Sequence, residues 1–138
     1  MTGFQGAVLS IKLRYLEKWN ERRREIARRY REGIRNPLIE FQQEYPDSRG
    51  VYHIFAVRVR DGKRDELKEY LQQKGIGTGI YYPIPVHLQK PFREMGWKEG
   101  DLPETERLSK EILALPMFPE LTDEEVERVI EAVNDFGG

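Results

Sequence analysis

The residues best suited to chemistry lie in one stretch, residues 75–89, which reads Gly-Ile-Gly-Thr-Gly-Ile-Tyr-Tyr-Pro-Ile-Pro-Val-His-Leu-Gln. Its candidate binding side chains are those of Tyr81, Tyr82, His87 and Gln89. Tyrosine rings can stack on a sugar or a base, and an imidazole can donate a hydrogen bond to a phosphate or hydroxyl oxygen. The residue types alone leave two interpretations open: a loop that presents these side chains to a ligand, or a structural connection with aromatic packing.

The second histidine, His53, lies in the strongest predicted strand, residues 51–60. Strict alternation places His53 on the same face as Phe55 and Val57. A histidine on an apolar face is more often a hydrogen-bonded core or interface residue than a catalytic one. His53 is therefore predicted to be structural, with a catalytic role as the less favoured alternative.

No complete catalytic or metal-binding constellation is present in the sequence. The glycines of residues 75–79 follow a predicted helix, whereas the glycines of a dinucleotide-binding loop follow a strand. The serines lack the strand–turn–helix context of an activated nucleophile. The two histidines have no metal-ligand spacing, and cysteine is absent. No catalytic residue and no metal ligand is therefore predicted.

Composition narrows the possible classes of protein. A chain of 138 residues predicts one domain with a modest core. The net charge of −1 argues against general nucleic-acid binding, which needs a basic surplus. The absence of cysteine excludes disulfides and fits a reducing cytoplasm. No run of about 18 apolar residues occurs, so no membrane span is predicted.

The N-terminal segment, residues 4–34, is predicted to be one long helix because apolar residues recur at three- and four-residue spacing. A helix of about 30 residues would span about 45 Å, more than a domain of this size needs. It is therefore predicted either to kink near residues 17–20 or to bridge to another body. Its first half is apolar on nearly all sides, which is typical of an interface.

Six arginines of this helix form the densest charge cluster: Arg22, Arg23, Arg24, Arg28, Arg29 and Arg31. Glutamates at helical pairing distance favour a salt-paired, solvated face over an anion-binding patch. Gly33 is predicted to be the C-cap, with Pro37 just beyond the helix.

The remaining pattern predicts an α+β fold. Strands are expected within residues 38–45, 51–60, 78–82 and 113–118, and helices at 64–74, 89–95 and 104–112. A last helix follows Thr122, with Glu125 completing a capping box. The predicted architecture is a long N-terminal helix followed by a small antiparallel sheet of about three strands, with helices packed on one side.

Residues 75–89 resemble the signature G-I-x-T-x-x-H-Y-P-x-P-x-H-x-Q of the DegT/DnrJ/StrS family of pyridoxal-phosphate-dependent nucleotide-sugar aminotransferases. The resemblance extends in order over essentially the whole chain, through residues 1–9, 20–27, 51–55 and 106–119. It is to the C-terminal, small domain of these fold-type I enzymes. Tyr81 departs from the signature, which often has histidine at this position.

The resemblance implies that residues 1–36 form an interdomain helix region and residues 37–138 a small α+β domain. In the family, a preceding large domain carries the aldimine-forming lysine, the aspartate for the pyridinium nitrogen and most phosphate contacts. None of Lys12, Lys18 or the later lysines matches that lysine's context. Tyr81, Tyr82, His87 and Gln89 would border the nucleotide-sugar cleft, across a possible homodimer interface.

These expectations predict a domain that is not catalytic alone and binds no pyridoxal phosphate by itself. Joined to its large domain, it would transfer an amino group from an amino acid to a keto-sugar nucleotide, in polysaccharide or amino-sugar biosynthesis in the cytoplasm. The alternative is a free-standing module that binds a nucleotide sugar or another protein through the same loop.

Overall fold

The computed structural model describes residues 2–137, which form six α-helices, one short 3-10 turn and three strands. In chain order these are α1 Gly3–Leu13, α2 Leu16–Gly33, β1 Ile39–Phe41, β2 Phe55–Val59, α3 Arg64–Gln73, the turn Val86–Leu88, α4 Lys90–Arg93, α5 Pro103–Glu111, β3 Ile112–Leu115 and α6 Asp123–Asp135. The α+β prediction is confirmed.

The three strands form one antiparallel sheet with β2 in the middle. Val59 pairs with Ile39 on β1, and Val57 pairs with Leu113 on β3. Because side chains alternate along a strand, the buried residues of β2 share one face with Leu113. That face is covered by helices, as the sequence predicted.

The core lies between this face and helices α2, α3 and α6. Tyr30 of α2, Leu67 of α3 and Val126 of α6 are all fully buried in it. The Tyr30 hydroxyl donates to the Pro116 carbonyl oxygen at 3.0 Å, so its burial leaves no unpaired polar atom. The second half of α2 therefore belongs to the same core as the rest of the chain.

The N-terminal segment is two helices rather than one. At Arg14 and Tyr15 the backbone N–H groups bond to carbonyl oxygens three residues back, at Ile11 and Lys12, and the helix is interrupted there. The predicted kink at residues 17–20 is wrong in position, since those residues lie within α2. No residue of α1 is buried, and its apolar side chains are exposed. The apolar surface expected of an interface is therefore present.

Two strand predictions need correction. Residues 51–54 lie outside β2, Tyr52 has a φ of +46°, and His53 is exposed. The core interpretation of His53 is wrong because the strand begins two residues after it. Residues 78–82 make only one bridge, in which the Gly79 and Ala114 backbones exchange bonds of 3.0 and 2.8 Å.

The salt-paired interpretation of the arginine cluster is confirmed for several of its members. Arg22 and Arg29 both bond to Asp123, at 2.8 and 2.6 Å. Arg24 bonds to Glu17 and Glu21, each at 2.9 Å. The first pair of contacts ties α2 to the start of α6, while exposed pairs of this kind contribute little to stability individually.

The capping box predicted at the start of α6 is also confirmed. Thr122 Oγ1 accepts from the Glu125 backbone N–H, and the Glu125 carboxylate accepts from the Thr122 N–H. We expect Thr122→Ala to lower the free energy of unfolding by about 1 kcal/mol, because α6 is part of the core. Urea denaturation measures this. The matched variant Thr2→Ala removes the same box from α1, which buries nothing, and should leave global unfolding unchanged; equal losses would contradict the prediction.

Candidate functional site

The loop of residues 81–89 leaves the edge of the sheet directly after the Gly79 bridge. Gly75 ends α3 with a φ of +75°, a conformation that glycine adopts without strain. The Ile76 N–H donates to the Leu71 carbonyl oxygen at 2.8 Å, the long bond of a Schellman-type helix end. The chain then pairs with β3 at the Gly79–Ala114 bridge and leaves the sheet. The loop therefore starts from a fixed point on β3.

Three of the four predicted site residues are exposed on this loop. Tyr82 is 73% exposed, and Tyr81 and Gln89 are also exposed. Tyr82 has a φ of +55°, in the left-handed region that non-glycine residues rarely occupy. Such a conformation persists only where the surrounding structure holds it. The loop thus presents its tyrosine rings outward from a constrained backbone.

His87 differs from its three partners because its side chain is buried, with 5% exposed. Its Nε2 lies 2.9 Å from Oε1 of Glu106 on α5. The ring of Trp97 lies edge-on to the imidazole, with 6.2 Å between the ring centroids. Trp97 thus packs back against the loop. His87 therefore faces inward, whereas the tyrosines face solvent.

Glu106 is the residue that sequence reasoning missed. Its carboxylate accepts from the Gly100 N–H at 2.9 and 3.0 Å and from the Leu102 N–H at 3.4 Å, in addition to His87. The available signal was an acidic residue in the first turn of a helix that begins at Pro103, but acidic first turns are common on solvated helices. Only the fold brings it to His87.

The hydrogen bond from His87 lowers the pKa of the Glu106 carboxyl; partial burial opposes this, and the backbone N–H groups add to the lowering. A carboxyl whose pKa is lower in the folded state stabilises the fold above its ordinary pKa of 4.5. That contribution is lost as the pH falls through the lowered value.

We therefore expect Glu106→Gln to lower the free energy of unfolding by a constant amount near neutral pH, with the difference from wild type shrinking below pH 4.5. Urea unfolding over a pH series measures this difference. Glu104→Gln, on the same turn but exposed, is the control and should change little. A Glu106→Gln deficit that stays constant down to about pH 3 would contradict the assignment.

A cleft of about 290 Å³ opens beside the loop and brings together two residues that the sequence keeps apart. His53 and Tyr81 both line it, together with the backbone of residues 77–79 and the segment Pro116 to Phe118. His53 also lines a second cavity of about 650 Å³, between α2 and the β1–β2 connection, with Arg28 among its walls. Tyr81 and the exposed His53 therefore share one side of the molecule.

The lysines among residues 2–137 do not fit the aldimine-forming residue of a pyridoxal-phosphate site. An aldimine-forming lysine needs an enclosed pocket and a carboxylate for the pyridinium nitrogen. All eight lysines lie within residues 2–137, and each is exposed or half-buried. Over the same range no cluster of potential metal ligands occurs. Of the described helices, none has the length and apolar character needed to cross a membrane.

A known protein family matches this chain over nearly its whole length. A model of the DegT/DnrJ/EryC1/StrS aminotransferase family matches residues 1–134. The chain is 46% identical over 133 residues to a dTDP-3-amino-3,6-dideoxy-alpha-D-galactopyranose transaminase of Aneurinibacillus thermoaerophilus, covering 96% of this chain and 36% of the relative. It is 39% identical over 133 residues to a dTDP-3-amino-3,4,6-trideoxy-alpha-D-glucose transaminase of Streptomyces venezuelae, covering 96% and 35%.

Solved structures give the same result for the fold. The S. venezuelae protein DesV, in complex with a ketimine intermediate, matches with a TM-score of 0.89 and 40% identity, over 94% of this chain and 35% of that one. An aminotransferase of the same family from Brucella abortus matches with a TM-score of 0.86 and 34% identity, over 97% and 35%. The chain thus spans about a third of the length of the proteins it matches.

Proposed function

Because the chain belongs to the DegT/DnrJ/EryC1/StrS aminotransferase family, we propose that it forms the C-terminal, small domain of a pyridoxal-phosphate-dependent sugar aminotransferase. The complete enzyme moves an amino group from an amino acid to a keto-sugar nucleotide. The names of two relatives, which describe transaminases of dTDP-amino sugars, support this proposal. This chain supplies one wall of the substrate cleft, and the cofactor is held by another part of the enzyme.

The observation that carries this proposal is the outward display of the loop of residues 81–89. Tyr81 and Tyr82 offer aromatic faces for a sugar or base, and Gln89 offers an amide. His87 of the same loop is buried, and its Nε2 lies 2.9 Å from Glu106. A carbohydrate site built from tyrosine faces and a few polar groups has the usual composition of a small-molecule site.

The exposed apolar surface of α1 supports the proposal that a second domain packs against this chain. Phe4, Leu9 and Ile11 lie exposed on a helix that buries nothing. An exposed apolar surface of this kind usually marks an interface. We assign residues 1–36 to the connection with the large domain, residues 37–138 to the small domain, and the completed enzyme to a cytoplasmic homodimer.

A chimera tests the proposal. This chain replaces the matching third of the A. thermoaerophilus relative, and amino transfer to the relative's keto-sugar nucleotide is measured. We expect an active enzyme in which Tyr82→Ala lowers kcat/KM by about tenfold, which corresponds to losing one stacking contact. The control is Tyr45→Ala, because Tyr45 is 71% exposed but lies in the β1–β2 connection.

Two results would overturn this assignment. One is a folded, cofactor-loaded chimera without activity; the other is an equal loss for Tyr82→Ala and Tyr45→Ala. The chain alone provides a further check. Mixed with pyridoxal phosphate, it should give no aldimine absorbance band that disappears on mutation of a single lysine. Saturable binding of a nucleotide sugar by the isolated chain would instead favour a free-standing binding module.

A further inference from the structure

We propose that Glu106 is a positioning residue: it fixes the loop of residues 81–89 by holding His87 through Nε2, and His87 itself acts through this bond rather than by contacting a ligand. The proposal rests on the proposed function only for the role of the loop in substrate binding. The bond itself is a property of this chain alone.

The Glu106 carboxylate of α5 binds hydrogen-bond donors from two neighbouring segments of the chain. His87 belongs to the 3-10 turn, Gly100 and Leu102 belong to the connection before α5, and Glu106 lies in α5. His87, Gly100 and Leu102 all donate to this carboxylate, at distances between 2.9 and 3.4 Å. Charge-assisted bonds of this kind are stronger than those between neutral groups. Removing the carboxylate therefore removes the bonds to the 3-10 turn and to the connection before α5 together.

The chemistry of the pair determines which imidazole nitrogen carries the proton. An ionised carboxylate has only acceptor atoms, so Nε2 must be the donor in this bond. The other nitrogen, Nδ1, is buried and has no hydrogen-bond partner among the described residues. With 5% of His87 exposed, a ligand in the cleft meets the tyrosines first. Nε2 of His87 therefore anchors the loop, and Tyr81, Tyr82 and Gln89 are the groups that face a ligand.

The loop is held at both of its ends, and Tyr82 lies between them. The Gly79–Ala114 bridge fixes the start, and the His87–Glu106 bond fixes the turn near the end. The φ of +55° at Tyr82 requires such restraint, because a tyrosine relaxes to negative φ when the backbone is free. Loss of the Glu106 bond should therefore change the direction in which the tyrosine rings point.

Nuclear magnetic resonance of the 138-residue chain tests the proposal, using two substitutions of His87 that separate the nitrogens. A glutamine amide can reach the position of Nε2, whereas an asparagine amide reaches only that of Nδ1. We expect the ¹⁵N shifts of wild-type His87 to report the Nε2–H tautomer. We expect Glu106→Ala and His87→Asn to speed amide exchange at Leu88 and Gln89, whose N–H groups are bonded within the turn, by about tenfold, the equivalent of one lost hydrogen bond. His87→Gln should keep exchange near the wild-type rate.

The control is Glu104→Ala, which removes an exposed carboxylate from the same helical turn and should leave exchange unchanged. Should the alanine variant of Glu106 not fold, the two His87 variants decide the question. Protection kept by His87→Asn but lost in His87→Gln would overturn the proposal, as would an Nδ1–H tautomer in the wild type. None of these measurements involves a nucleotide sugar, so failure here and failure of the chimera are separate results.

Discussion

Replacing Leu113 with alanine is expected to lower the free energy of unfolding by about 2–5 kcal/mol, the range for removing a buried leucine side chain. Leu113 is fully buried on β3, where it pairs with Val57 of the central strand. Helices α2, α3 and α6 all contribute to the cluster around it, so no single neighbour can move in to fill the space. Chemical denaturation followed by far-UV circular dichroism measures the change.

The scale of this loss matters because a domain has only about 5–15 kcal/mol of stability in total. The matched control is Leu13→Ala, since Leu13 is 65% exposed at the end of α1 and should change stability by less than about 0.5 kcal/mol. Similar losses for the two variants would mean that β3 does not lie against the helices as described.

Replacing Gly33 with alanine is expected to cost about 1–3 kcal/mol through overpacking. A Cβ at this position would lie 2.8 Å from Cγ2 and 2.9 Å from Cδ1 of Ile130 on α6. Ile130 is buried and β-branched, so its side chain has little freedom to move away. Alanine favours a helix by about 1 kcal/mol over glycine in a helix interior, which offsets only part of this cost.

A double-mutant cycle separates the packing effect from helix propensity. In an Ile130→Ala background the new methyl group has room, so Gly33→Ala should become neutral or stabilising. The coupling energy is then about 1–3 kcal/mol, in the range for residues in direct contact. An equal cost of Gly33→Ala in both backgrounds would show that the glycine serves backbone conformation rather than the approach of α6.

The role that the sequence predicts for Gly33 is wrong. The sequence predicts that Gly33 is the C-cap of the helix, but Gly33 is the last residue of α2, and the cap is Ile34 in an extended conformation. Local sequence rules assign a glycine near a helix end to conformation because that is its commonest use. The closeness of Ile130 depends on how α6 packs, and no local pattern contains that information.

Features that depend on neighbours within a few residues could be predicted. The spacing of Val126, Val129, Ile130 and Val133 predicts the buried face of α6, and all four are buried. Thr122 and Glu125 form the predicted capping box, and Gly75 follows α3 with a positive φ that suits a glycine. Each of these depends on interactions over three to five residues, so the sequence contains both partners together.

The features of the candidate site also separate into those that local sequence predicts and those that tertiary packing sets. The sequence alone identified the family, predicted the antiparallel α+β fold and selected Tyr81, Tyr82 and Gln89 as candidate site residues. Only the tertiary structure decided that His53 is exposed beside Tyr81 and that His87 is buried against Glu106, 19 residues away. The physical reason is that burial and hydrogen-bond partners are set by packing between distant segments, whereas periodicity records only which face of an element is apolar.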